Sequence, residues 1–165
     1  MNYTAYLEGK ACDDKHRKIT DILRYNSIQL ELTHDYIQRV FPTKEVSRFS
    51  KIDIITDEDL ANFKASEVAQ QNVRAMYQKM LCFWKINDTL YQEWGKNAPL
   101  RLWNRCNNHN HWRMTRILKS LKMLGMEQEF NDFSLRLSTI LELRKINNSI
   151  RITNETIKLW NENMR

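Results

Sequence analysis

Apolar residues along this chain recur three and four positions apart, the spacing of one buried helix face. The first such stretch runs over about 13–25, with Ile19, Ile22 and Leu23 on one side. Asn26 or Ser27 is suited to cap a second helix that continues to Phe41, and Pro42 ends it, because the residue before proline avoids helical geometry. On that helix Leu30, His34, Ile37 and Phe41 form one stripe, with Leu32, Tyr36 and Val40 beside it. Residues 43–55 read as an extended surface loop. Thr56-Asp57-Glu58-Asp59 has the outline of a capping box with an acidic first turn. It opens a long helical stretch through Leu60, Phe63, Val68, Val73, Met76, Tyr77, Met80 and Phe83, divided near Ala65-Ser66.

Asn87 to Pro99 reads as an irregular connection holding Trp94 and Gly95. A fourth helix is expected from Asn108 or Asn110 to Leu124, burying Met114, Ile117, Leu118, Leu121 and Leu124, with Gly125 as its terminating residue. A fifth places Phe130, Phe133, Leu137, Ile140 and Leu141 inward and breaks at Asn147-Asn148. Thr153 or Asn154 caps a last helix containing Ile157 and Trp160. The pattern predicts an all-α bundle of about five to seven helices, with residues 1–165 forming one domain.

Composition supports that reading. Only 3 Gly and 2 Pro occur, where average usage over this length would give about 11 and 8. Sheets need turns built from these residues, which argues against a sandwich or barrel, and three isolated glycines exclude a glycine-rich phosphate loop. Hydrophobic residues at 42% and charged residues at 28% describe a globular chain. Cys12, Cys82 and Cys106 are odd in number and scattered, so reduced thiols in the cytoplasm are expected. The first ten residues carry no apolar signal region, and the longest apolar run, Met80 to Trp84, falls far short of a membrane span.

The net charge of +6 is unevenly placed. Trp94 to Met126 holds no acidic residue but contains Lys96, Arg101, Arg105, Arg113, Arg116, Lys119 and Lys122, with His109 and His111 among them. A block of this kind suits a carboxylate or phosphate ligand, or it is a solvated face that pairs with the acidic turn at 57–59. Trp103 and Trp112, interleaved with the basic residues, raise base stacking as a further reading, although no nucleic-acid recognition motif is present. Cys106, His109 and His111 place three metal-ligand types within six residues, but no second cluster completes a zinc motif. Glu31-x-x-His34 is half of a carboxylate di-iron pattern, with Asp13-x-x-His16 a weak second half. His34-Asp35 matches the dipeptide of all-α metal phosphohydrolases, whose earlier histidine could be His16 but whose later aspartate nothing marks here. A core histidine is the plainer reading of His34, and a small buried hydrophobe that of Cys82. Cys106 is the thiol with basic neighbours, and no serine sits in a nucleophile elbow. No metal site or cofactor is assigned.

Two strings carry a resemblance. Leu30-Glu31-Leu32-Thr33-His34-Asp35-Tyr36-Ile37-Gln38-Arg39-Val40-Phe41-Pro42 resembles the Leu-Glu-x-x-His-x-Tyr-Ile-Gln-Trp-Leu-Phe-Pro signature of the opioid growth factor receptor conserved region. Asn108-His109-Asn110-His111-Trp112-Arg113-Met114-Thr115-Arg116-Ile117-Leu118-Lys119-Ser120-Leu121, followed by Leu124-Gly125, resembles that family's Asn-His-Asn-x-Leu-Arg-Ile-Thr-Arg-Ile-Leu-Lys-Ser-Leu segment. Tyr6-Leu7-x-Gly9, Asp21-Ile22-Leu23, Ser47-Arg48-Phe49, Met80-Leu81-x-Phe83 and Thr156-x-x-x-Trp160 extend the likeness along the chain. Arg39 and Trp112 depart from the family's usual Trp and Leu. The compact length is similar to microbial members that consist of this domain alone. The resemblance implies ligand binding by a soluble domain, since the family is named for animal members that bind an enkephalin peptide. A helical hydrolase and a nucleic-acid module stand as alternatives.

The candidate site follows from the polar residues that these strings mix with core residues. His34 and Gln38 lie one turn apart, and Arg113 and Arg116 are spaced to flank one anion beside His109. Together they predict a pocket for a peptide or other anionic group. The competing arrangement pairs Glu31 or Asp35 with these arginines as a structural network. The two motif helices are expected to bring Leu30, Ile37 and Phe41 against Ile117, Leu121 and Leu124.

Overall fold

A computed structural model describes residues 1–46, 54–87, 102–106 and 108–165. These residues form nine α-helices and no strand: α1 (Tyr3–Leu7), α2 (Ile19–Ile22), α3 (Ser27–Leu32), α4 (Tyr36–Val40), α5 (Asp57–Ala65), α6 (Glu67–Trp84), α7 (His109–Leu124), α8 (Glu127–Ile146) and α9 (Asn154–Asn163). The chain is all-α. Five of these helices are long and build the body, and the four short ones all precede residue 41.

The long helices start and stop where the side chains dictate. Thr56 and Asp59 form a reciprocal capping box at α5, and Ser66 divides α5 from α6 by accepting from the Ala69 N–H. Asn108 accepts from Asn110 N at the start of α7, and Gly125 ends that helix in the left-handed region at φ 74°. Thr153 caps α9 by accepting from Thr156 N. Helix α7 is buried on most of its circumference. Met114, Ile117, Leu118, Leu121 and Leu124 join the common core with Val73, Met76, Met80, Phe133, Leu137 and Ile140. Two tryptophans tie neighbours to it through polar handles: Trp84 Nε1 donates to Asn110 Oδ1 at 3.0 Å, and Trp160 Nε1 to Thr115 Oγ1 at 3.1 Å.

The N-terminal third departs from the periodicity. The helix expected over 13–25 shrinks to α2, because the Asp13 carboxylate accepts from the backbone N–H of Lys15 and Arg17 at 2.9 and 3.0 Å. That side-chain turn competes with helix formation, and His16 takes a left-handed φ of 57° within it. An unexpected helix, α1, is capped by Asn2 and buries Tyr3, Tyr6 and Leu7. The helix expected to run unbroken to Phe41 divides at Thr33–Asp35 into α3 and α4.

Several side chains also fall elsewhere than their stripes predict. Leu32 is 70% exposed, Val68 is half exposed, and Cys82 lies on the surface rather than in the core. All three cysteines are free. Residues 43–46 and 54–56 are neither helix nor strand, while 47–53 and the connection from 88 to 101 lie outside the described residues. No helix among the described residues is long and apolar enough to cross a membrane.

Candidate functional site

A helix broken at Thr33 leaves the last carbonyls of α3 without intrahelical donors, and burial makes unpaired carbonyls costly. Arg113 of α7 supplies the missing donors. Its Nη2 donates to Glu31 O at 3.2 Å and to Thr33 O at 3.0 Å, and its Nη1 to Asn110 Oδ1 at 3.2 Å. The guanidinium is 4% exposed and lies 5.6 Å from the centre of the Tyr36 ring. Arg116 repeats the device on α4, donating to Phe41 O at 2.9 Å and Gln38 O at 3.3 Å. With its amide nitrogen facing the break, Gln38 reaches Asp35 O at 2.9 Å and His34 O at 3.2 Å. Burial lowers the pKa of both arginines.

The face expected to be solvated is therefore built into the fold. Arg113 and Ser120 are buried, and Arg116 is half-buried. Of the basic residues on α7, Lys119 makes the surface pair, with Glu45 at 2.8 Å. The acidic turn at 57–59 is met instead by Lys44, through Asp57.

Four of the five candidate residues split into two pairs, with Arg113 between them on the carbonyls of the break. His34 and His109 meet edge to face with ring centroids 5.1 Å apart. Gln38 and Arg116 grip backbone around α4. His34 is exposed rather than a core histidine, and the His109 side chain is 40% exposed. Glu31 Oε1 lies 3.2 Å from His109 Nε2, off the line of a straight hydrogen bond, and Nε2 is buried against it. Burial, then the charge of Arg113 and the His34 ring, push the His109 pKa down, while Glu31 opposes them. Glu31 Oε2 accepts from Asn110 Nδ2 at 3.3 Å and lies 3.7 Å from Arg113 Nη1.

Asn110 is the member that the sequence did not announce. Fully buried, it turns its oxygen to Trp84 and Arg113 and its nitrogen to Glu31. The signal for it was available in its place between His109 and His111, where helix periodicity puts a polar side chain among core residues.

Asp35 does not pair with Arg113 or Arg116. Arg17 holds both of its oxygens, at 2.9 and 3.1 Å. Burial pushes the Asp35 carboxyl up, but Arg17 and Arg39 together outweigh it and hold the pKa below its ordinary value. Arg39 is 2% exposed and lies among Asp13, Asp14 and Asp35. The buried cation is thus matched by three carboxylates.

The other chemical readings separate in space. His111 Nε2 lies 2.6 Å from Trp103 O and its ring meets Trp160 edge-on, while Cys106 is on the surface. The local Cys-His-His string therefore does not converge. Among the described residues no three His, Cys, Asp or Glu side chains gather as a metal-ligand set. Trp103 is fully buried and cannot stack a base, whereas Trp112 is half exposed.

The two strings that frame this cluster coincide with the α3–α4 break and with α7. Over residues 2–155 the chain matches the model of the opioid growth factor receptor (OGFr) conserved region. The chain belongs to this family. It is 35% identical over 117 residues to the opioid growth factor receptor of Homo sapiens, covering 66% of this chain and 17% of that protein. The opioid growth factor receptor of Rattus norvegicus is 32% identical over 120 residues, 66% of this chain and 20% of the relative. Opioid growth factor receptor-like protein 1 of Mus musculus is 33% identical over 105 residues, 60% and 22% of the two chains. The chain thus spans about a fifth of the length of these relatives. No solved structure matches it.

Proposed function

We propose that this member of the opioid growth factor receptor family is a ligand-binding module whose site is the surface at the α3–α4 break, where His34 meets His109. The site comprises His34, His109 and Glu31, with Arg113 against Glu31, while Gln38 and Arg116 hold the backbone of α4 beside it. The observation that carries the reading is the contact of two imidazoles from separate elements at 5.1 Å. Packing does not need them, since His34 is exposed and its ring makes no hydrogen bond among the described residues. The frame around them is rigid, because Arg113 and Asn110 lock the backbone and the Glu31 carboxylate. The names of the relatives support a peptide or other anionic group as the ligand.

The test is to follow the ring resonances of His34 and His109 while a short peptide, acetate or inorganic phosphate is added. Movement of both rings at a saturable concentration is the expected result. Rings that stay still with every probe, while the protein is folded, remove this surface as a binding site.

A further inference from the structure

We infer that His34 and His109 together bind one divalent transition-metal ion of the zinc type, with the Glu31 carboxylate orienting the His109 ring. The inference rests on the same reading of this surface as a binding site, and it is independent of which organic ligand follows.

Neutral imidazole is the nitrogen ligand that zinc, copper and nickel share. Two imidazoles on one tetrahedral zinc have Zn–N distances of about 2.0–2.1 Å, which places their ring centres about 5.2 Å apart. The rings of His34 and His109 stand 5.1 Å apart without an ion. The two side chains come from a loop and from the first turn of α7, so both backbones are already positioned. The loop is held by Arg113 on Thr33 O and the helix turn by the Asn108 cap.

The nitrogens are correctly divided between support and ligand. Glu31 Oε1 lies 3.2 Å from Nε2 of His109, so a proton on Nε2 meets the carboxylate once the ring turns into line, and the lone pair is then on Nδ1. Nδ1 has no hydrogen-bond partner among the described residues and is absent from the buried unpaired atoms, so it is open. A carboxylate behind a ligating histidine is the usual support of such an ion. Glu31 itself is fixed by Asn110, whose oxygen is committed to Trp84 and Arg113. Arg113 does not oppose the ion unscreened, because the Glu31 carboxylate lies between it and His109, one oxygen toward each. Two protein ligands leave the remaining positions to water or a ligand's own donor atoms, which describes an exchangeable ion rather than a structural one.

The experiment titrates zinc chloride into the full chain, freed of metal, on a Cys106→Ser background that removes the exposed thiol closest in sequence. One equivalent of zinc should bind and move the His34 and His109 resonances together. His34→Ala is on the surface and should fold as the parent does. It should weaken binding by about tenfold or more, as should His109→Ala, and Glu31→Gln should weaken it by about 10–100-fold without abolishing it. Zinc that binds equally well to His34→Ala, or that leaves both rings unmoved, overturns the inference. If peptide or phosphate still moves the rings while zinc does not, the surface stands as a binding site and the metal assignment falls. If zinc binds and no anion does, the metal assignment stands and the anionic-ligand reading falls.

Discussion

Arg113 donates to the carbonyl oxygen of Thr33 at 3.0 Å across 80 residues of sequence. The bond joins the two family motifs and helps to hold the break in the helix of the first motif, between α3 and α4. A straight helix would offer no free carbonyl at Thr33, and Arg113 would be left buried without acceptors. The planar fork matters, since the three acceptors face two separate nitrogens, and a lysine's single ammonium, although it has three donors, cannot stand at both positions. Arg113→Lys is therefore expected to lower unfolding stability by about 2–4 kcal/mol. Urea denaturation measures it, and a loss below about 0.5 kcal/mol would show that the carbonyls find other donors.

Leu121 is fully buried on α7, among core residues of α6 and α8. Leu121→Ala removes packing that nothing nearby can replace without moving a helix. A loss of about 2–5 kcal/mol is expected from calorimetry or urea melts. A surface-like loss would mean that the α7 seam is able to collapse around the gap.

How much was legible follows from which forces act locally. The limits of α7 and the break at Ser66 were readable because caps are local chemistry, set by Asn108, Gly125 and Ser66 within four residues. The split of α3 from α4 was not, because the donors that stabilise it sit on Arg113 and Arg39, remote or facing inward. The same holds for residues 13–18, where the Asp13 carboxylate overrides a helical pattern by bonding its own backbone. The candidate site was half legible. Its motifs singled out His34 and His109, whose rings meet, while Arg113 and Arg116 turn inward to carbonyls. Asn110 was overlooked because an amide between two histidines gives no charge signal.

Alkaline pH should unfold the protein through its buried phenols. Burial raises the pKa of Tyr36 to about 12 and pushes Tyr6 and Tyr77 higher still, with Asp132 adding to the rise at Tyr77. A raised folded pKa means that the folded state keeps its proton more tightly than the unfolded chain, whose phenols titrate near 10. The stabilisation is complete below about pH 10 and is lost as pH rises from there toward the folded values. Tyrosinate absorbance and helical circular dichroism, followed together, should change in one transition above that pH. Three phenols ionising while the helical signal stays intact would contradict their burial.

Arg39 supplies the sharpest test of how this chain departs from the usual pattern of its family. It is 2% exposed and faces Asp13 at 3.4 Å, Asp35 at 3.4 Å and Asp14. Asp13 is itself buried, so removing Arg39 takes away one of its two cations and leaves Arg17 alone to hold it. Arg39→Met is expected to cost about 3–5 kcal/mol, as for other buried pairs broken on one side. Adding Asp13→Asn removes the stranded charge but keeps an oxygen for the Lys15 and Arg17 N–H groups. The double variant should therefore be more stable than the sum of the two single losses predicts, by about 1–3 kcal/mol. Urea denaturation of the four proteins in the cycle measures this coupling. Strict additivity would mean that Arg39 acts by filling space, as the aromatic side chain of its relatives would, and not by charge.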